Sequence, residues 1–374
     1  MKQFDVIVAG LGAMGSAALY HLSTSGVKAA GFDRFAPPHN MGSSHGETRM
    51  IREAYYENPG YVPLVRRAYD LWHELEARIG ETLIDETGGV YAGPADGELM
   101  SGMRRAAHAH GIPIESLTRA QAASRFPWIQ FEKDWDIICE PRAGLLYPEV
   151  CIATHLNLAA YNGAENHMGD PVESWDATPD GVVVRTQGGE YHAEKLILTT
   201  GAWMIDTLTG LGIDALVERQ PLFWFEPKSG ASLPSTVWAL EFEHGKLFYG
   251  FPASDTGVKI AIHYGGVQRT TPDEIDRALR DEDVELLRRH GEKYVPELLG
   301  PLKQASVCMY TNTPDLHFIF DKHPQHDNVL VVSACSGHGF KFSSAIGEAA
   351  AQWSRDGETA LDMSLFTLSR FSAK

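Results

Sequence analysis

The chain has 374 residues, 44% of them hydrophobic and 22% charged, which allows a large buried core and exceeds what one core usually organises, so two joined lobes are expected. A formal charge of -17 opposes the counterion release that drives nucleic-acid binding, and no apolar run nears the roughly 20 residues that cross a bilayer, so neither nucleic acid nor membrane is an expected partner. Four cysteines, Cys139, Cys151, Cys308 and Cys335, form no CxxC pair, which argues against a zinc site or a disulfide framework. With too few apolar residues in MKQFDVIVAG for a signal peptide, a reduced, cytoplasmic protein is the expectation.

Residues 4 to 9, FDVIVA, form a short apolar run rich in β-branched side chains, as a buried parallel strand requires. GLGAMG follows, and AALYHLSTSG then reads as a helix with Met14, Ala18 and Leu22 along one side and Gly26 as its stop. A second strand is expected before Asp33. Strand, glycines, helix and acid coincide as in a dinucleotide fingerprint: Gly10 makes the tight turn, Gly12 admits a pyrophosphate, Gly15 packs helix on strand, and Asp33 takes a ribose hydroxyl.

GSSHGETRMIREAYYENPGYVP is a polar loop whose side chains can hold phosphate, flavin or carboxylate: Ser43, Ser44, His45, Thr48, Arg49 and Arg52. If this segment is helical, the spacing of the two arginines puts them on one face, and an exposed helix with ion pairs is the plainer reading. Further on, EKLILTTGAW and NVLVVSACSGHGFKFSSAIGEAA each read as an apolar strand ending in glycine. As parallel neighbours of the first strand they would gather Gly201, Gly337 and Gly339 at the carboxyl edge of one sheet, where open α/β sheets bind ligands.

One nucleotide-binding domain must therefore collect residues 1–84, 146–215 and 315–374, leaving 85–145 and 216–314 for a second domain. In that second part YGFPASDTGVKIAIHYGG alternates from Val258, setting Lys259, Ala261 and His263 on one face; a strand edge would also favour the lysine. LFWFEP offers Phe223 and Phe225 as pocket wall or plain core, and PDEIDRALRDEDVELLRRHGEKY reads as a charged helix. In the C-terminal glycine turn, His338 and Lys341 stand at a helix start. The helix dipole contributes only about 0.3–1 kcal/mol to an anion there, so Lys341 must supply much of any strong stabilisation.

The fingerprint, SSHGETRMIR, YGFP with GVKIAIH downstream, CMYTNTPDLHFIFD and SGHGFKFSSAIGEAA occur in order over nearly the whole chain. In this the sequence resembles the monomeric sarcosine oxidase family of D-amino-acid-oxidase-like flavoproteins, and looks nearest its N-methyltryptophan oxidase branch. The resemblance implies an α/β fold, with a Rossmann-like FAD-binding domain interleaved with a smaller antiparallel β-sheet substrate domain. It also implies FAD bound covalently through the sulfur of Cys308, which residue chemistry alone would read as a small buried hydrophobe. Lys259 matches the lysine that promotes reaction with dioxygen, and Arg52 and Lys341 match the pair that grips the substrate carboxylate. Tyr249 and His263 match residues near the amine, and His45 and Arg49 residues beside the flavin. The sarcosine oxidases of that family typically show a second histidine and Asp where this chain has Ser44 and Glu47, which bears on substrate size more than on chemistry.

The expected activity is oxidative demethylation of N-methyl amino acids such as N-methyl-L-tryptophan by a monomer, giving the primary amino acid, formaldehyde and hydrogen peroxide. Rival readings are an oxidase of sarcosine or cyclic imino acids, a flavin dehydrogenase, a non-catalytic flavin-binding subunit and, from the fingerprint alone, a nicotinamide dehydrogenase.

Overall fold

The computed structural model describes residues 2–264 and 269–371. The apolar run at the N-terminus forms the strand Lys2–Ala9, and the turn at Gly10 leads into the helix Ala13–Thr24, which ends with Ser25 as its cap and Gly26 at φ 77°. Ala18 and Leu22 are buried in the core and Met14 packs against it, as the four-residue spacing requires.

Five parallel strands lie in the order Glu165–Met168, Ala29–Asp33, Lys2–Ala9, Gly189–Leu198 and His326–Ser333. The three glycine-ended strands are thus neighbours pointing the same way, and their carboxyl ends meet at one edge. Ile319–His323 adds an antiparallel strand beside His326–Ser333, while Ser174–Thr178 and Gly181–Thr186 extend the sheet from the first half of Gly189–Leu198. The helices Pro148–Tyr161 and Ser343–Asp356 pack on Ala13–Thr24.

A second, nine-stranded sheet is antiparallel except where Val237–Glu243 runs parallel to Gly89–Pro94. Tyr91, Ala239, Tyr249 and Ala261 stand side by side across four of its strands. Their face looks toward the first sheet, whereas alternate residues such as Phe223, Phe225, Trp238 and Ile260 form a separate core with Leu287 of the helix Asp281–Tyr294. A short three-stranded sheet of Arg49–Ile51, Gly144–Leu146 and Ile84–Asp85 lies apart from both.

Three expectations change. Arg49 opens a strand instead of a helix, because Arg49–Ile51 pairs with Gly144–Leu146 through contacts far apart in sequence. The charged helix begins only at Asp281, where Asp281, Glu282 and Asp283 fill a first turn that favours acidic side chains. Val258–His263 is no edge: it is bonded on both sides and all six of its residues are buried. Among the described residues no helix is long and apolar enough to cross a membrane, and no group of side chains is arranged to hold a metal ion.

Gly15 shows how closely helix and turn meet. A Cβ there would lie 1.7 Å from the Gly10 carbonyl oxygen, whereas one on Gly12 would meet nothing within 4 Å. Gly15→Ala should therefore lower stability by roughly 1–3 kcal/mol in thermal or denaturant unfolding, while Gly12→Ala stays within about 0.5 kcal/mol of the parent. Equal losses in the two variants would contradict this packing.

Candidate active site

A cavity of about 620 Å³ runs between the two large sheets, within the range of sites that enclose a cofactor or small ligand. At one end it is lined by Gly10, Gly12, Asp33, Arg34 and Gly201, at the carboxyl edge of the parallel sheet. Ser43, Ser44, Thr48 and Arg49 line its middle, and Cys308, Lys259, Tyr249, His263, Arg52, Gly337, Gly339 and Lys341 its far part. Residues from distant parts of the sequence therefore share one wall. Gly15 and His45 stand behind it: Gly15 packs on the turn, and His45 is buried with Nδ1 3.4 Å from Ser306 Oγ.

At the fingerprint end the helix Ala13–Thr24 starts at Gly12 without a side-chain cap, so its first N–H groups are available to an anion such as phosphate. The Asp33 carboxylate accepts the N–H groups of Leu11 at 2.6 Å and Phe35 at 2.8 Å, which fixes it at the mouth of the turn. Ser43 and Arg52 line the cavity, and their Oγ and Nη1 atoms are buried without a protein partner. Open space at Gly12, free helix N–H groups and unpartnered donors fit a long, polar, anionic cofactor such as FAD.

Besides Arg34 at the fingerprint end, the cavity is lined by Arg49, Arg52, Lys259 and Lys341. Arg52 Nη2 donates to both Glu57 oxygens at 2.7 and 2.8 Å, and the guanidinium lies 4.4 and 4.3 Å from the Tyr55 and Tyr56 ring centres. Burial disfavours its charge, but Glu57 outweighs this and raises the Arg52 pKa; burial likewise opposes ionisation of Glu57, yet Arg52 brings its pKa down to about 2. The pair is therefore ionised, in place of the exposed ion pair that a surface helix would carry.

Lys341 lies in the short helical turn Phe340–Phe342, and Nζ reaches back to the His338 carbonyl at 2.7 Å. Burial, then the nearby Arg52 charge, lower its pKa to about 7. The Trp72 indole N–H donates to the Lys341 carbonyl at 3.1 Å, which holds the turn. His338 Nε2 lies 3.0 Å from the Leu316 carbonyl, which can only accept, so Nε2 carries the proton and Nδ1 accepts from the Tyr55 hydroxyl at 2.6 Å.

Lys259 is buried, and its Nζ donates to the Gly46 and Thr48 carbonyls at 2.6 and 2.7 Å and lies 3.2 Å from Thr48 Oγ1. Burial, then Arg49, push its pKa well down. Arg49 itself donates to the carbonyls of Thr48 at 2.8 Å and Ser43 at 2.9 Å, and its Nη2 lies 3.7 Å from Cys308 Sγ. Cys308 sits on the strand Leu302–Asn312, its sulfur 3.4 Å from the Ser43 carbonyl. His263 Nδ1 lies 3.0 Å from the Tyr310 hydroxyl, and burial lowers the imidazole pKa to about 3, so the ring is neutral.

Sequence reasoning passed over several residues that belong here. Glu57 is four residues beyond Glu53 in a segment with no periodicity, and Tyr91, Leu99, Ala239, Leu247 and Phe251 reach the cavity only through sheet register and packing. Glu140 is buried below Arg52, with Oε1 accepting the backbone N–H groups of Glu53 and Ala54; burial raises its pKa to about 7. Phe223 and Phe225 lie on the opposite face of their strand, in the core and away from the cavity.

Residues 5–353 match the family described as FAD dependent oxidoreductase. The monomeric sarcosine oxidase of Streptomyces avermitilis is 40% identical over 99% of this chain and 98% of that protein. The N-methyl-L-tryptophan oxidase of Citrobacter koseri is 34% identical over 99% of this chain and 100% of its own length. Among solved structures, NikD, an unusual amino acid oxidase essential for nikkomycin biosynthesis, superimposes with a TM-score of 0.85 at 22% identity, covering 98% of each chain. Glycine oxidase from Geobacillus kaustophilus gives 0.82 at 20% identity, over 99% of each. The two structures agree on the fold and the two enzymes on descent: this chain belongs to the FAD dependent oxidoreductase family.

Proposed function

We propose that this protein is an FAD-dependent oxidase of N-methyl amino acids that acts on N-methyl-L-tryptophan and related secondary amines. The observation that carries the reading is the presence of Arg52 and Lys341, both buried, on the same cavity as Cys308 and Lys259. Residues 1–84, 146–215 and 315–374 form the cofactor lobe in this reading, and 85–145 with 216–314 the substrate lobe. The protein works as a cytoplasmic monomer.

FAD, when bound, accepts two electrons from the substrate and passes them to dioxygen. Gly10, Gly12, Asp33, Ser43, Ser44, Thr48, Arg49, Gly201, Gly337 and Gly339 would hold it, with the Cys308 sulfur as its covalent anchor. The chain's own contribution is positioning and electrostatics. Arg52 and Lys341 bind the substrate carboxylate; that Arg52 Nη1 has no protein partner supports this. Tyr249 and the neutral His263 stand where they can orient the amine without adding charge. Loss of two electrons at the N-methyl group leaves an imine, and water converts it to formaldehyde and the primary amino acid. Lys259 offers a cation to the negative charge that develops on dioxygen as peroxide forms.

Tyr56, Tyr91, Leu99, Leu247 and Phe251 make the surroundings of Ala239 apolar and aromatic, which supports a bulky apolar side chain on the substrate. A second reading, sarcosine, is favoured by identity alone, since the sarcosine oxidases stand at 38–40% against 34–35% for the N-methyltryptophan oxidases. Peroxide release from a panel of N-methyl amino acids separates the two: kcat/KM should favour N-methyl-L-tryptophan by at least about tenfold. A tenfold preference for sarcosine would overturn the choice.

Three variants test the assigned roles. Cys308→Ser should release its flavin on acid precipitation while the parent retains it in the pellet; retention by both would remove the sulfur anchor. Lys259→Met should slow flavin reoxidation by at least about a hundredfold with far less effect on anaerobic reduction by substrate, and equal slowing would contradict that division. Because the pKa of Lys341 is lowered to about 7, its ammonium is present below that pH and lost above it. The Kd of a carboxylate ligand that carries no amine should rise as pH passes up through about 7, and Lys341→Met should flatten that rise.

A further inference from the structure

Lys259 is held by a turn whose conformation is unusual. Gly46 has φ 100° and Glu47 has φ 69°, and the Thr48 N–H donates to the Gly46 carbonyl at 2.8 Å. A hydrogen bond from residue i to i+2 around a side-chain-bearing residue of positive φ is the rare, strained γ-turn. Such a conformation persists only where its surroundings over-determine it.

Here they do so from two sides. Glu149, in the first turn of the helix Pro148–Tyr161, accepts the N–H groups of Gly46 at 2.7 Å and Glu47 at 3.1 Å. The Glu47 side chain reaches the opposite way, to the antiparallel sheet. Its Oε2 accepts from the Trp224 indole N–H and from Thr256 Oγ1, each at 2.8 Å, and its Oε1 from Gln304 Nε2 at 3.1 Å. The result of this fastening is that the carbonyls of Gly46 and Thr48 both face the Lys259 ammonium.

We propose that Glu47 is a positioning residue for Lys259: its carboxylate clasps the strained Gly46–Thr48 turn to Trp224, Thr256 and Gln304 and so fixes the carbonyls that aim the ammonium into the cavity. The consequence for reaction with dioxygen rests on the role given to Lys259 above; the clasp itself does not. The groups facing Lys259 are Arg49, His45 and Cys308 together with the carboxylates of Glu149 and Glu47, and both carboxylates favour its charged form. Reach and charge can be separated. Asp keeps the charge but is one methylene too short for the three donors, while Gln keeps the reach and an acceptor oxygen but loses the charge.

The experiment uses holoprotein labelled with nitrogen-15 at lysine side chains, with the Lys259 resonance assigned from Lys259→Met, alongside rapid-mixing kinetics of both half-reactions. Glu47→Asp should displace the Lys259 resonance and slow reoxidation about tenfold, with anaerobic reduction within about twofold of the parent. Glu47→Gln should recover most of that rate near neutral pH and lower the Lys259 titration midpoint by about one pH unit. A Lys259 resonance in folded Glu47→Asp with the parental position and midpoint would overturn the proposal. If Glu47→Asp does not fold, Thr256→Val removes a single donor and the same resonance decides. A displaced resonance with parental reoxidation would uphold the clasp and overturn the oxygen role of Lys259.

Discussion

An acidic protein has gathered four basic side chains, Arg49, Arg52, Lys259 and Lys341, around one cavity, the last three of them buried, and the rest of the site depends on how they are kept there. A buried ion left without partners costs several kcal/mol, so each needs oxygen acceptors. Arg52 alone among the four has a carboxylate in direct contact, that of Glu57. Lys259 and Arg49 are satisfied by backbone carbonyls, and Lys341 by the His338 carbonyl with the Tyr55 ring 5.2 Å away. Carbonyl dipoles hold a cation without cancelling its charge. Where they are protonated, these groups bring positive charge to the cavity inside a chain whose formal charge is -17.

That arrangement explains why two sheets are needed. Parallel strands deliver glycine turns and helix starts to one edge, which suits the phosphates and ring of a dinucleotide. They do not place long side chains opposite that edge. The antiparallel sheet does, because alternate residues of neighbouring strands stand in rows: Tyr91, Ala239, Tyr249 and Ala261 in one row, with Lys259 and His263 flanking Ala261 on its strand. The segment from Ser43 to Arg52, which includes the strand Arg49–Ile51, supplies the carbonyls that Lys259 and Arg49 require.

Legibility in the sequence followed the range of the determining interactions. The fingerprint was readable because strand, turn, helix and Asp33 lie within a few dozen residues and each obeys a local rule. The face shared by Lys259, Ala261 and His263 was readable for the same reason, since alternation along a strand is local. The strand at Arg49–Ile51 was not, because three residues carry no period and their pairing partner lies near residue 145. Glu57, Tyr91 and Ala239 have no local signature of function, and their place on the cavity follows from sheet register and packing.

The measurement that bears most directly on the central claim is a titration of the oxidised holoprotein, followed by flavin absorbance, with a carboxylate that carries no amine and with its primary amide. A cavity in which Arg52 and Lys341 are open to an anion predicts binding of the carboxylate at least about tenfold tighter than the amide, with the difference lost in Arg52→Met. Equal affinity for acid and amide in the parent protein would contradict the account.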